Sequence, residues 1–183
     1  PLHADGITDA KNMAKHIKGL RVDKIYTSKL IRAIDTERII AKELNINPPV
    51  IENDTLNERD YGIYTGKNKW EIQKEVGNEI FKNIRRGWNY PIPEGETLEN
   101  VYNRVVPYFK SQILPELKNG ENILISAHGN SLRPLVKYLN NLTVEQVQNL
   151  EFGIGEVYVF QIDESGKIIS FEIRGENPDK GNI

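Results

Sequence analysis

Ile123-Leu124-Ile125-Ser126-Ala127-His128-Gly129-Asn130-Ser131 runs from an apolar stretch of the buried-strand kind into a polar turn. A helical pattern follows, with Leu132, Leu135, Val136 and Leu139 at helix spacing. The expected order is strand, turn, helix, with His128 at the strand's end. Gly129 lets backbone approach a ligand closely, and the first turn of the helix offers unpaired N–H groups that favour an anion. A histidine at such a junction can meet a phosphate, or it can be satisfied by its neighbours within the turn. The stretch by itself supports both.

Working outward, helical and extended patterns alternate. Ala10, Met13, Ala14 and Ile17 give a first helix its apolar stripe, with Gly19 at its end. Val22 to Tyr26 reads as a strand, and Ile31, Ile34, Ile39, Ile40 and Leu44 mark a second helix. Val50 and Ile51 form a brief strand, a loop carries Glu58 to Gly66, and Trp70 to Val76 and Ile80 to Arg86 are each short helices. Pro91 and Pro93 precede a long helix from about Thr97 to Leu117, in which Pro107 requires a kink or boundary. After the strand and helix around His128, Thr143 caps a short helix to Leu150, with Gln146 completing a capping box. Val157 to Ile162 and Ile168 to Ile173 alternate as strands joined through Asp163 to Lys167. This order predicts an α/β fold of three layers, α/β/α, whose largely parallel sheet carries helices on both faces and an antiparallel strand at its edge. Neither repeat nor linker divides the chain, so residues 1–183 are expected to form a single domain.

Composition narrows the partners. A net charge of -2 gives no general electrostatic reason to bind nucleic acid or an anionic membrane. With no cysteine, neither a disulfide framework nor thiolate metal ligation is available, and the three histidines are not spaced as a metal pair. No apolar run approaches the roughly 20 residues needed to span a bilayer. The opening Pro1 to Gly6 lacks the basic-then-apolar order of a signal peptide, so a cytoplasmic location is expected.

Other polar groups gain meaning beside His128. Ser28 and Arg32 follow directly on the Val22 to Tyr26 strand, at the carboxyl edge where open α/β sheets bind ligands. Glu58-Arg59-Asp60-Tyr61-Gly62 places an acid, a guanidinium and a phenol in one loop; Lys67 and Lys69 follow, and Arg85 and Arg86 are adjacent. Singly, each has a plainer reading: a surface helix residue, a loop ion pair, a solvated helix end. Together they supply the nitrogen, carboxyl and fixed cations that phosphoryl transfer uses.

These words, in this order, resemble the 2,3-bisphosphoglycerate-dependent phosphoglycerate mutases of the histidine phosphatase superfamily. The likeness is carried by Pro1-Leu2 with Gly6, Tyr26-Thr27-Ser28, Arg32-Ala33, Leu56-Asn57-Glu58-Arg59 with Tyr61-Gly62, Gly66 with Asn68-Lys69, Arg85-Arg86, Gly95-Glu96-Thr97 and Ala127 to Arg133. The resemblance implies a phosphoglycerate mutase-like fold and interconversion of 3- and 2-phosphoglycerate through a phosphohistidine, a step of glycolysis and gluconeogenesis. It implies 2,3-bisphosphoglycerate as phosphoryl primer, no metal, and a small-molecule phosphoglycerate as substrate; a homo-oligomer is compatible with it. Arg32 and His128 would form the phosphate pocket with Gly129 and Asn130 beside it. Glu58 would move the proton, and Tyr61, Lys69, Arg85 and Arg86 would hold the substrate.

Mutases of this kind open with a strand ending in Arg-His-Gly, whose histidine takes the phosphoryl group. These 183 residues begin after that word, so on their own they are expected to lack mutase activity. His3 falls in the entry loop, and His16 lies off an apolar stripe, where exposure is usual. Two smaller departures are Asp60, where many mutases have histidine, and a short Asn89 to Glu94. A broad phosphomonoesterase of the same superfamily would share Arg32, Glu58 and His128 without needing Lys69, Arg85 and Arg86. A non-catalytic phosphate-binding module is a further reading. A serine hydrolase using Ser131 lacks the nucleophile elbow, and Gly153 with Gly155 is too little for a dinucleotide fingerprint.

Overall fold

The computed structural model describes residues 2–177; Pro1, the first residue of the opening word, and residues 178–183 lie outside them. The described residues fold as two compact units, one of residues 2–57, 108–128 and 151–177, the other of 58–107 and 129–150.

The first unit is built on a three-stranded parallel sheet in the order β2 (Val50–Glu52), β1 (Lys24–Thr27), β3 (Ile123–Ser126). β1 is central, and Ile25, Tyr26 and Thr27 are buried on it. Helix α1 (Ala4–Ile17) packs along α2 (Ile31–Leu44): Ala14, Ile17 and Ile40 form a buried cluster, with Met13, Val22, Leu44, Leu124 and Val157 against it. The α/β class with a parallel sheet follows from the sequence pattern. Three details differ from expectation. Ile123, Leu124 and Ile125 are only half-buried, because β3 is an edge strand of its sheet. The antiparallel pair β4 (Val157–Ile162) and β5 (Ile168–Arg174) forms a separate two-stranded sheet instead of an edge to the parallel one. His16, expected to be exposed, is half-buried: a Cβ on Gly175 would lie 2.5 Å from its Nε2, so the end of β5 covers its ring.

The expected long helix is present but not uniform. α5 (Leu98–Tyr108) runs through Pro107 without ending there, a wide turn occupies Phe109–Ile113, and α6 (Leu114–Lys118) completes it. In the wide turn the Leu114 N–H donates five residues back, to the Phe109 carbonyl. Pro115 lacks the N–H that would bond the Ser111 carbonyl, and its ring crowds that carbonyl. A helix at such a point relieves the clash by widening one turn.

In the second unit, α3 (Lys69–Val76) is capped by the Asn68 side chain, which accepts from the Trp70 N–H. α4 (Asn78–Arg86) follows Gly77, and Ile72, Phe81, Ile84 and Ile92 close a core with Tyr61, Tyr64, Val76 and Tyr90 packed on it. α7 (Gly129–Leu139) and α8 (Val144–Gln148) complete the unit, and α8 has the expected capping box between Thr143 and Gln146. The 58–66 loop is pinned from behind. Ile63 N donates to the Pro93 carbonyl, Glu96 N to the Asp60 carbonyl, and Asp60 N back to Glu96 Oε2. Gly62 sits at φ +51 with its missing Cβ site 1.9 Å from the Pro93 oxygen, so no other residue fits.

Glu96 also takes a two-pronged bond from Arg104, at 2.7 and 2.9 Å. Burial pushes its carboxyl up, but the Arg104 fork and the Asp60 N–H outweigh burial and hold it below the ordinary 4.5. A depressed folded-state value stabilises above the unfolded value and is lost as pH falls through the folded one. Glu96→Gln should therefore cost about 1–2 kcal/mol at neutral pH, with the gap closing in acid. Urea denaturation at about pH 7 and about pH 3 checks this; an equal gap at both would show that the charge contributes nothing.

Candidate active site

In the first unit, the parallel register pairs Thr27 with Ser126, so the chain leaves β1 at Ser28 and β3 at Ala127 on the same sheet edge. Three polar side chains meet there. Ser28 Oγ lies 2.7 Å from His128 Nε2, and Arg32 Nε donates to His128 Nδ1 at 3.0 Å. Ser28 is fully buried and His128 is 6% exposed, whereas Arg32, on the first turn of α2, is exposed. A guanidinium can only donate, so Nδ1 must accept; a neutral ring then carries its proton on Nε2 and donates to Ser28 Oγ. Ser28 Oγ accepts a second bond from the Leu30 N–H at 3.2 Å.

In the second unit, Glu58, Tyr61 and Asn130 come together. Glu58 Oε1 accepts from its neighbour's N–H, that of Arg59, at 2.8 Å and from the Asn130 N–H in the first turn of α7 at 3.2 Å. A carboxylate thus takes one of the N–H groups that the sequence reading left open for an anion, a favourable position at a helix N-terminus. Asn130 Nδ2 donates to Tyr61 Oη at 3.0 Å. Its amide is oriented by Arg133, a buried donor whose Nε faces Asn130 Oδ1 at 3.5 Å while its Nη1 donates to the Leu150 carbonyl. Gly129, the first residue of α7, is exposed, and nothing lies within 4 Å of the position a Cβ would take.

Arg59 does not serve as a loop ion pair through its side chain. Its guanidinium stacks over the Tyr61 ring, 4.3 Å from the centroid. Nη2 donates to the carbonyls of Ile84, at 2.6 Å, and Arg85, at 3.2 Å, closing the C-terminal end of α4. Its Nε and Nη1 are buried without a partner among the described residues. Arg85 lies over Phe81 at 5.7 Å, and Arg86 Nη1 donates to the Arg85 carbonyl. Lys69 begins α3 and lies 4.7 Å over the exposed Trp70 ring.

The sequence-assigned residues therefore fall into three sets: Arg32 with His128; Glu58, Tyr61 and Asn130, tied through Arg59 to Arg85 and Arg86; and Lys69, apart on α3. Ser28, Arg59 and Arg133 belong to the same contacts although the resemblance assigned them no role. The available signal was that each stands within a quoted motif word. Among the described residues no group of three or more acidic or histidine side chains is placed to hold a metal, and no helix is long and apolar enough to cross a membrane.

The parallel sheet with a histidine and a guanidinium joined at its carboxyl edge defines an α/β protein built to present a histidine from a strand end. The chain belongs to the histidine phosphatase superfamily, branch 1, whose sequence profile matches residues 1–172. It is 42% identical over 175 residues to the 2,3-bisphosphoglycerate-dependent phosphoglycerate mutase of Parvibaculum lavamentivorans, covering 94% of this chain and 83% of that protein. Among solved structures it resembles YhfR of Bacillus stearothermophilus, with a TM-score of 0.81 at 23% identity over 97% of this chain and 85% of that one. It also resembles the alpha-ribazole phosphatase of Shigella flexneri, with a TM-score of 0.72 at 26% identity over 88% and 78% of the two chains.

Proposed function

We propose that the chain carries the phosphate-binding and proton-transfer groups of a phosphoglycerate mutase interconverting 3- and 2-phosphoglycerate, acting as one domain in the cytoplasm. The Arg32–His128 bond at the sheet edge carries the reading, and the 42% identity to a mutase supports it. Arg32 offsets the charge of the transferring phosphoryl oxygens, and His128 donates a ring N–H to one of them. Glu58 gives a proton to the departing oxygen and takes one from the incoming hydroxyl. Lys69, Arg85 and Arg86 hold the far carboxylate or second phosphate, with Tyr61, Gly129 and Asn130 lining the substrate. The same donor set suits 2,3-bisphosphoglycerate. When bound, that molecule supplies the priming phosphoryl group. The acceptor imidazole belongs to an Arg-His-Gly strand; His3 is the N-cap residue of α1, and His16 is covered by Gly175. The likeness to a phosphatase supports phosphomonoester hydrolysis as the second reading.

Three experiments test the proposal. A polypeptide of residues 1–183 should neither interconvert phosphoglycerates nor form acid-labile, base-stable label with 2,3-bisphosphoglycerate. An N-terminal extension ending in Arg-His-Gly should restore both, since loss of a nucleophile costs several orders of magnitude. Stoichiometric label and turnover in the short chain would overturn this.

In the extended protein, Glu58→Gln should depress kcat by about a hundredfold or more while phosphoglycerate binding changes little. A rate within about twofold of the parent would remove Glu58 from the proton path.

Replacing Arg85 and Arg86 together by alanine should reduce isomerisation far more than hydrolysis of an aryl phosphate, because only the larger anion has groups beyond the transferred phosphate. Equal losses on both substrates, or free phosphate as the parent's main product, would favour the phosphatase reading.

A further inference from the structure

Both ring nitrogens of His128 are engaged in this structure, and the partner at Nδ1 is a cation that can only donate. The ring therefore directs its one N–H inward, at Ser28, and presents a lone pair toward Arg32. A lone pair is the wrong group for a phosphoryl oxygen, which accepts. The two partners differ in what they can do. Arg32 is exposed on the first turn of α2, and its long side chain can swing onto an incoming anion; Ser28 is fully buried and cannot be replaced at Nε2 by water.

We infer that His128 exchanges tautomer when phosphate binds, from N–H at Nε2 to N–H at Nδ1, and that Ser28 is the positioning residue that satisfies Nε2 in both states. The inference rests on the phosphate-pocket reading proposed above. In the free protein, Ser28 Oγ accepts from Nε2–H and from the Leu30 N–H. In the bound protein, Arg32 turns its N–H groups to the phosphate, Nδ1–H donates to a phosphoryl oxygen, and Ser28 rotates its own O–H toward the now bare Nε2. The Leu30 bond is retained. A hydroxyl has two acceptor sites and one donor, so both arrangements lie within its capacity. The ring takes one proton at Nδ1 from the bound phosphate or from water and gives up the one at Nε2 to water when it turns out transiently from Ser28, and Ser28 keeps its protonation state throughout. Alanine could serve neither state.

Nitrogen-15 NMR of the histidine ring in the 183-residue chain reads the tautomer directly, with inorganic phosphate as the probe and the phosphorus line width as the independent sign of binding. The free ring should be protonated at Nε2, and saturating phosphate should move the proton to Nδ1. Arg32→Met should populate the Nδ1–H form without phosphate. Ser28→Ala removes a partner of Nε2 from both states, so it should leave the free tautomer as it is while broadening the Nε2 nitrogen-15 line, and Ser28→Thr, which keeps the hydroxyl, should restore the parent line. A free ring already protonated at Nδ1, or phosphate bound with the proton still at Nε2, overturns the exchange while leaving the pocket intact. Absence of phosphate binding sinks the pocket reading and the exchange with it. The parent spectra need no variant to fold.

Discussion

Thr27 stands opposite Ser126 in the parallel pairing of β1 with β3, and everything at the sheet's carboxyl edge inherits that register. Ser28 and His128 are one hundred residues apart in sequence, yet their side chains bond at 2.7 Å because each lies just past the end of one of two adjacent strands. A slip of one residue would turn alternate side chains to the opposite face and separate them. Side chains secure the register at both ends of the pair. Thr27 Oγ1 donates to the Ser126 carbonyl and Ser126 Oγ to the Ala33 carbonyl, while at the other end the Asp23 carboxylate accepts from the backbone and side chain of Asn122. Ser126 also binds the strand to the first turns of α2, the helix that brings Arg32 to His128.

β1 is anchored from a second side by Glu116. Lys24 Nζ meets Glu116 Oε1 at 2.5 Å, and Tyr26 donates to Glu116 Oε2 at 2.8 Å while its ring packs edge-on to Tyr108. Burial first, and the Glu116 carboxylate second, push the Tyr26 hydroxyl far above its ordinary range, so it remains a donor at any physiological pH. Tyr108 and Glu116 lie on either side of the widened turn at Phe109–Ile113. The added residue in that turn rotates the helix segment that follows it, and the face carrying Glu116 is set by the widening. Pro115, by withholding one N–H, thus bears on how β1 is held.

The α/β class was legible because periodicity changes cleanly between two and 3.6 along the chain, and the capping box of α8 was legible because it is written in four consecutive residues, Thr143 to Gln146. His128 could be placed at a strand end for the same reason. What could not be read were consequences of tertiary neighbours. Three apolar residues at 123–125 look the same in an edge strand as in a covered one, and His16 is half-buried with Gly175, distant in sequence, against its ring. Ser28 was visible as a motif residue, but its bond to Nε2 depends on a register that no local pattern specifies. Arg59 looked like a loop partner of Glu58, whereas stacking on Tyr61 and the open carbonyls at the end of α4 draw its guanidinium away.

Two buried arginines organise the polar cluster of the second unit, and their chemistry explains why arginine is used. Arg133 can only donate, so Asn130 must turn its carbonyl oxygen to Arg133 and its NH2 to Tyr61. Tyr61 therefore accepts at its oxygen and keeps its own O–H to donate elsewhere. Arg59 holds the loop from below, but at a cost: two buried guanidinium nitrogens without partners among the described residues are unfavourable by about 1–3 kcal/mol each. A methionine would fill similar volume without that penalty, as replacements of buried charges by apolar residues have often been neutral or stabilising in other folds. Stability alone thus gives no reason for a guanidinium at position 59. Its two bonds to the end of α4 and its stack on Tyr61 do, because together they fix the positions of Arg85 and Tyr61 relative to Glu58 within one unit.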